Sequence, residues 1–259
     1  MAEGDTIHRT ARRLNAALGG ERVLEVAVPN PRSPLRRQSA RLGELRGSRL
    51  ASVEARGKHL LLHFEPGLAL HCHLGMNGSW RVVEPGGEPS RPERSAWVIL
   101  TTEHARAAQF GGTHLALRTA GELRADPRLS RLGPDLLAPG FQPAAGAGAL
   151  RKGTPGQALG EALLDQRLVA GVGNVYKSEG CFAASLNPWR SLSELTDADL
   201  ERLFDALRDM MQAGVTDKRR PRLVYRRAGG PCAWCGTRIR SRGQGDANRV
   251  TYWCPRCQP

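Results

Sequence analysis

Long apolar runs are missing from this chain: no stretch of about 18 hydrophobic residues occurs, which excludes a membrane-crossing helix. A basic, apolar leader with a small-residue cleavage site is missing too, so the expected location is a reducing cytoplasm. Acidic residues are in short supply, 25 Asp+Glu against 38 Lys+Arg, which leaves a formal charge of +13. That excess calls for a polyanionic partner. With no polybasic stretch beside a lipidation site, nucleic acid fits better than a membrane surface. Lysine is itself scarce, and the positive charge is mostly arginine, whose planar fork suits phosphate oxygens and base edges. A GC-rich genome also raises Arg, Ala, Gly and Pro, so part of this bias carries no chemistry.

Cysteine is sparse as well, with six in 259 residues, yet four of them crowd the last 28. They form two Cys-x-x-Cys pairs, Cys232/Cys235 and Cys254/Cys257, separated by 18 residues. Each pair aims two sulfurs at one point, and a linker of about 15–20 residues lets a hairpin join them, so the expectation is a four-thiolate structural Zn²⁺ site. Two disulfides would use the same residues but do not suit a reducing compartment. Cys72 and Cys181 fall outside this set and read as small core residues. A chain of this length, 40% hydrophobic, can bury two cores besides the metal-stapled module.

Periodicity supplies the order of elements. Asp5 or Thr6 opens a helix whose Ile7, Ala11, Leu14 and Leu18 make one stripe, stopped by Gly19-Gly20. From about Val23 to Leu117 short strand-like runs replace it, as in Lys58-His59-Leu60-Leu61-Leu62-His63-Phe64, and predict an antiparallel two-layer sandwich. His59, His63, His71 and His73 imitate a metal cluster, but no carboxylate shares their spacing, so they read as polar strand-face residues. Residues 138–160 read as a linker. Glu161 to Ala170 reads as a helix, followed by the turn Gly171-Val172-Gly173-Asn174 and a second helix from Val175; such a turn offers bare N–H groups to an anion. Ser191 with Glu194 forms a capping box, and Thr196 opens a helix with a core stripe of Leu200, Leu203, Phe204, Leu207, Met210 and Met211. A basic hinge, Lys218 to Arg222, leads to the cysteines. The fold class is therefore α+β and multidomain: a β-sandwich with a leading helix over 1–125, a helical domain over 126–222, and a zinc-finger hairpin over 223–259.

Six blocks then carry a resemblance: Met1-Ala2-Glu3-Gly4-Asp5-Thr6, Arg56-Gly57-Lys58-His59-Leu60-Leu61, Leu74-Gly75-Met76-Asn77-Gly78, Arg131-Leu132-Gly133-Pro134-Asp135-Leu136, the stretch from Leu164 to Glu179, and the finger. In this order, over the whole chain, they resemble the formamidopyrimidine-DNA glycosylase / endonuclease VIII family, most closely its actinobacterial endonuclease VIII-like branch. The resemblance implies a helix-two-turns-helix module in the middle domain. It also implies a monomeric base-excision enzyme that flips a damaged base from double-stranded DNA, displaces it with an amine and cuts the strand by β,δ-elimination. In the cell such a protein would be nucleoid-associated when bound to DNA.

The family's nucleophile is the α-amine at position 2, which titrates near pH 8 and is partly neutral at physiological pH. Glu3 matches the acid that shuttles protons. Lys58 matches the lysine that contacts phosphate and assists elimination, Asn174 a phosphate holder, Arg249 the finger arginine that promotes the second elimination, and Met76 the wedge that fills the emptied stack. Each also has a plain reading: a helix-end charge for Glu3, an exposed strand lysine, an N-cap, a solvated hairpin arginine and a surface methionine. The family pattern has proline at position 2 where this chain has Ala2. Proline gives an obligately cationic iminium, whereas alanine gives an imine that must be protonated to act as an electron sink. Retained Met1 would move the amine by about 3.5 Å. A catalytically weak family member that binds abasic or distorted DNA is thus the second reading, and an RNA-binding zinc-ribbon protein, which explains charge and cysteines alone, is the third. The short segment 215–225 has no room for a long lesion-reading loop, which favours oxidised pyrimidines or abasic sites.

Overall fold

The computed structural model describes residues 2–84, 87, 90–217 and 222–259. Met1 and the basic run Lys218, Arg219, Arg220 and Pro221 lie outside the described residues, so the hinge and the short-loop reading fall partly there. The chain forms two compact units: Ala2 with Thr6–Ser130, and Glu3–Asp5 with Arg131–Pro259.

In the first unit, helix α1 (Gly4–Leu18) buries Ile7, Ala11, Leu14 and Leu18 and exposes Arg12 and Arg13. It ends as the glycines require, since Gly20 takes φ +83°, a conformation that costs a side-chain-bearing residue about 1–2 kcal/mol. Eight strands follow: β1 (Glu25–Ala27), β2 (Arg49–Arg56), β3 (His59–Glu65), β4 (Leu68–His73), β5 (Ser79–Val83), β6 (Val98–Thr101), β7 (Arg106–Phe110) and β8 (His114–Thr119). They make two antiparallel four-stranded sheets, ordered β1-β6-β7-β5 and β2-β3-β4-β8. Alternation decides the faces: Leu60, Leu62 and Phe64 of β3 join Leu70 and Cys72 of β4, Trp80 of β5 and the α1 stripe in one core. His59 pairs with His73 and His73 with His114, so the three imidazoles share the opposite face. Short helix α2 (Ser39–Leu42) lies before β2, and α3 (Ala120–Ala125) and α4 (Pro127–Ser130) close the unit, α3 opened by a Thr119/Glu122 capping box.

The second unit is helical, with α5 (Pro143–Leu150), α6 (Leu159–Ala162), α7 (Asn174–Ala183) and α8 (Asp197–Asp217), followed by the hairpin β9 (Arg240–Gln244) and β10 (Arg249–Trp253). Two expectations fail here. The stretch read as a linker contains α5, because Ala and Gly give no polar contrast to reveal a buried face; a Cβ on Gly146 would meet the Phe204 ring at 2.8 Å. The helix read over Glu161 to Ala170 stops at Ala162. Beyond it the chain turns around Gln166, whose side chain donates to Leu164 O and Val172 O and accepts from Gly171 N. The α8 stripe is buried as its period requires, apart from the half-buried Met210.

Candidate functional site

The site residues of the first unit gather at one end of the β2-β3-β4-β8 sheet. Lys58 sits in the turn joining β2 to β3, immediately before His59, whose cross-strand partner is His73. Lys58 lies close enough to His73 to lower its pKa by repulsion, second to burial of the ring. Two residues past His73, Gly75 takes φ +58° and its carbonyl accepts from Ala2 N at 3.2 Å. A Cβ on Gly75 would strike Thr113 at 2.6 Å, so glycine is required twice over. Met76 follows with 67% of its surface exposed, a large apolar side chain with no core to enter. Lys58 and Met76 thus lie on turns at one sheet end, and Ala2 N is tied to the second of these turns through Gly75 O.

In the second unit a different set converges on the start of α7. Glu3 is fully buried, and its carboxylate accepts from Val175 N at 3.0 Å and Tyr176 N at 3.3 Å. It does what a capping side chain does, but for a helix that begins about 170 residues later in the sequence. The carboxyl group fills the space that a side chain on Gly173 would take, with Glu3 Cδ only 2.3 Å from a built Cβ. Gly173 is the N-cap and Asn174 the first helical residue, so Asn174 is not the cap. Its Nδ2 instead donates to Val250 O at 2.8 Å, and its buried Oδ1 has no partner among the described residues. Arg249, exposed beside Val250, acts electrostatically on Lys177.

Lys177 and Glu179 are two residues whose weight the motif reading missed. Lys177 is fully buried, donates to Thr251 Oγ1 at 2.6 Å, and has its pKa lowered to about 8, chiefly by burial. Thr251 in turn donates to Gln244 Oε1 at 2.6 Å, and Gln244 Nε2 to Pro188 O at 2.8 Å, a buried chain that fastens the hairpin to α7. Glu179 accepts from the backbone of Leu223, Val224 and Tyr225, the irregular segment that leads into the cysteines. The sequence of α7 carries no signal of this, because its polar residues give no sign that the helix is buried on every side.

The chain matches two protein-family models, the formamidopyrimidine-DNA glycosylase N-terminal domain over residues 1–123 and the formamidopyrimidine-DNA glycosylase H2TH domain over residues 132–222. It is 45% identical to a probable endonuclease 8 2 of Streptomyces coelicolor, across 100% of this chain and 94% of that protein. The chain belongs to the formamidopyrimidine-DNA glycosylase / endonuclease VIII family. A second member, the DNA-(apurinic or apyrimidinic site) lyase Nei2 of Mycolicibacterium smegmatis, is 36% identical over 100% of this chain and 99% of its own. Among solved structures, a Lactococcus lactis Fpg complexed with abasic-site DNA shares the fold at a TM-score of 0.83 and 22% identity, each chain fully covered.

Within this family member the four finger sulfurs come together as free thiols, Cys232 and Cys257 Sγ at 3.9 Å and Cys235 and Cys254 Sγ at 3.5 Å. A disulfide would need about 2.05 Å. Four thiolates about 2.3 Å from one ion stand about 3.8 Å apart, so the set fits a tetrahedral metal. Cys232 and Cys254 also pack with Phe182, Val224 and Ile239, which gives the finger a small core of its own. Cys72 and Cys181 are buried in their cores, as read, with burial pushing the Cys181 thiol up to about 12. No helix among the described residues is long and apolar enough to cross a membrane.

Proposed function

We propose that this chain is a monomeric, cytoplasmic base-excision DNA glycosylase with AP lyase activity, acting on oxidised pyrimidines or abasic sites in duplex DNA. The observation that carries this reading is the burial of Glu3. A fully buried carboxylate, held by two N–H groups of α7 and given room by Gly173, is costly to build, and it directly follows the residue whose amine the reading makes the nucleophile.

The Ala2 amine attacks the deoxyribose C1′, expels the damaged base and forms an imine. Glu3 is held in one orientation, and each of its oxygens keeps lone-pair capacity beyond the single N–H it accepts. It can therefore protonate the ring oxygen and take protons back during elimination. Lys58 and Arg249 neutralise phosphates around the lesion, and Asn174, its Nδ2 already donated to Val250 O, helps to hold one through a donor or a water oriented by its unpartnered Oδ1. Met76 fills the stack. The four cysteines hold Zn²⁺, which supplies structure and no open coordination position. The domain limits that suit these roles are 1–125, 126–222 and 223–259.

The alternative, a binder with little catalysis, is favoured by Ala2 alone. Borohydride reduction of a mixture with abasic-site duplex, using protein shown by mass spectrometry to begin at Ala2, decides between them. A covalent protein–DNA adduct and strand ends from δ-elimination are expected. Binding without adduct or cleavage would establish the second reading.

A further inference from the structure

On the outer face of the β2-β3-β4-β8 sheet, three residues distant in sequence present ligand atoms to one point: His71 of β4, His114 of β8 and Asp126 at the junction of α3 and α4. All their ligand atoms lie within 4.8 Å of one another. No carboxylate accompanies these histidines in sequence, yet the fold delivers one. His71 is fully buried, and its Nδ1 stands 3.5 Å from Asp126 Oδ2 without a hydrogen bond; His114 Nε2 likewise has no partner among the described residues. Two buried ring nitrogens left unsatisfied beside a carboxylate oxygen are an expensive arrangement unless something electrophilic sits between them.

We propose that His71 Nδ1, His114 Nε2 and Asp126 Oδ2 form a second metal site, for a divalent ion of the Zn²⁺ or Co²⁺ kind. It is separate from the four-cysteine finger. Metal–nitrogen and metal–oxygen bonds of about 2.0–2.2 Å at a tetrahedral angle set donor atoms about 3.4 Å apart, which matches the His71–Asp126 separation. Two imidazoles and one carboxylate suit borderline first-row ions over Ca²⁺ or Mg²⁺.

The surroundings support the assignment. His71 Nε2 lies 2.9 Å from His59 Nδ1, so the ring nitrogen away from the metal has the hydrogen-bond partner that ligating histidines use to set tautomer and orientation. The opposing charges are Arg118 and Arg128. Arg128 Nη1 reaches Asp126 Oδ2 at 3.5 Å from a largely exposed side chain, and it gives way to a dication by turning into solvent. His114 is half-buried, which leaves the fourth position to water. An ion here would clasp the α3–α4 junction to the sheet, a structural role within the first unit.

The test is metal stoichiometry in the full chain with its finger loaded. Equilibrium dialysis against Zn²⁺ followed by elemental analysis should return two zinc ions per chain in the wild type. His114→Gln and Asp126→Asn should each return one, with circular dichroism unchanged and finger thiols still protected. Co²⁺ offered to protein carrying one zinc per chain, held in the finger, should add ligand-field absorption without a thiolate charge-transfer band. One zinc per chain in the wild type at saturation would overturn the assignment, as would two retained in His114→Gln, the rim variant least expected to disturb folding.

Discussion

Under the proposed function Glu3 combines two jobs. As the acceptor for Val175 and Tyr176 N–H it behaves as a helix cap, and as the residue next to the Ala2 amine it is placed for proton transfer. Glu3→Gln keeps an acceptor oxygen for the helix and removes the exchangeable proton. Base excision measured on a lesion-containing duplex should fall by about 10²–10⁴-fold, and the thermal midpoint should drop modestly, because the amide nitrogen leaves one of the two α7 N–H groups without its acceptor. At position 2 the expectation concerns pH. The imine formed by a primary amine must be protonated to accept electrons, whereas the iminium of a secondary amine carries its charge permanently. Ala2→Pro should therefore hold its AP-lyase rate to higher pH than the wild type, read from a pH–rate profile. A superimposable pair of profiles would separate elimination from the imine's charge. The expectation for Ala2 and Glu3 could be formed from the sequence because the motif is contiguous. The N–H groups that orient Glu3 could not be read there, since no local pattern links the third residue to the start of α7.

Helix α7 is the element on which the second unit's functional residues depend. It is buried along nearly its whole length and carries Asn174 to Val250 O, Lys177 to Thr251 and Glu179 to the irregular segment before the cysteines. Lys177 makes this arrangement sensitive to pH. Its folded pKa, about 8, lies below the ordinary lysine value near 10.5. Below about pH 8 both folded and unfolded chains hold the proton, and the buried charge costs stability. Between about 8 and 10.5 only the unfolded chain holds it, so this group's contribution to stability rises with pH. Urea midpoints should show the wild type gaining on Lys177→Met across that window, and parallel curves would show that the lysine does not titrate there. Gly173→Ala belongs to the same scale. Its Cβ would meet Glu3 Cδ at 2.3 Å, and a shift large enough to relieve that contact costs about 1–3 kcal/mol and displaces the carboxylate. Stability and base excision should fall together, although the carboxyl group itself is kept. The error at α5 has its cause at this scale too, because a face made of Ala and Gly is recognised only by what packs on it, here Phe204.

At the scale of the whole molecule the charge of +13 governs association. Binding to abasic duplex should weaken steeply with salt, the logarithm of affinity falling linearly with the logarithm of salt concentration by about 0.9 per neutralised phosphate. Arg249→Ala should reduce that slope by about 1, and an unchanged slope would remove Arg249 from the phosphate contacts. Stripping metal from the finger with a chelator should abolish tight binding yet leave the helical circular dichroism largely intact, since the core around Leu200, Leu203, Phe204 and Leu207 contains no finger residue. By itself the sequence determined what depends on neighbours along the chain: the α1 stripe, the strand alternation of β3 and β4, the Cys-x-x-Cys pairs and the N-terminal block. Only the tertiary structure decided which groups share a point in space. Glu3 reaches α7, Lys177 reaches Thr251, and His71 and His114 meet Asp126, because chain entropy erases register between distant segments until packing restores it.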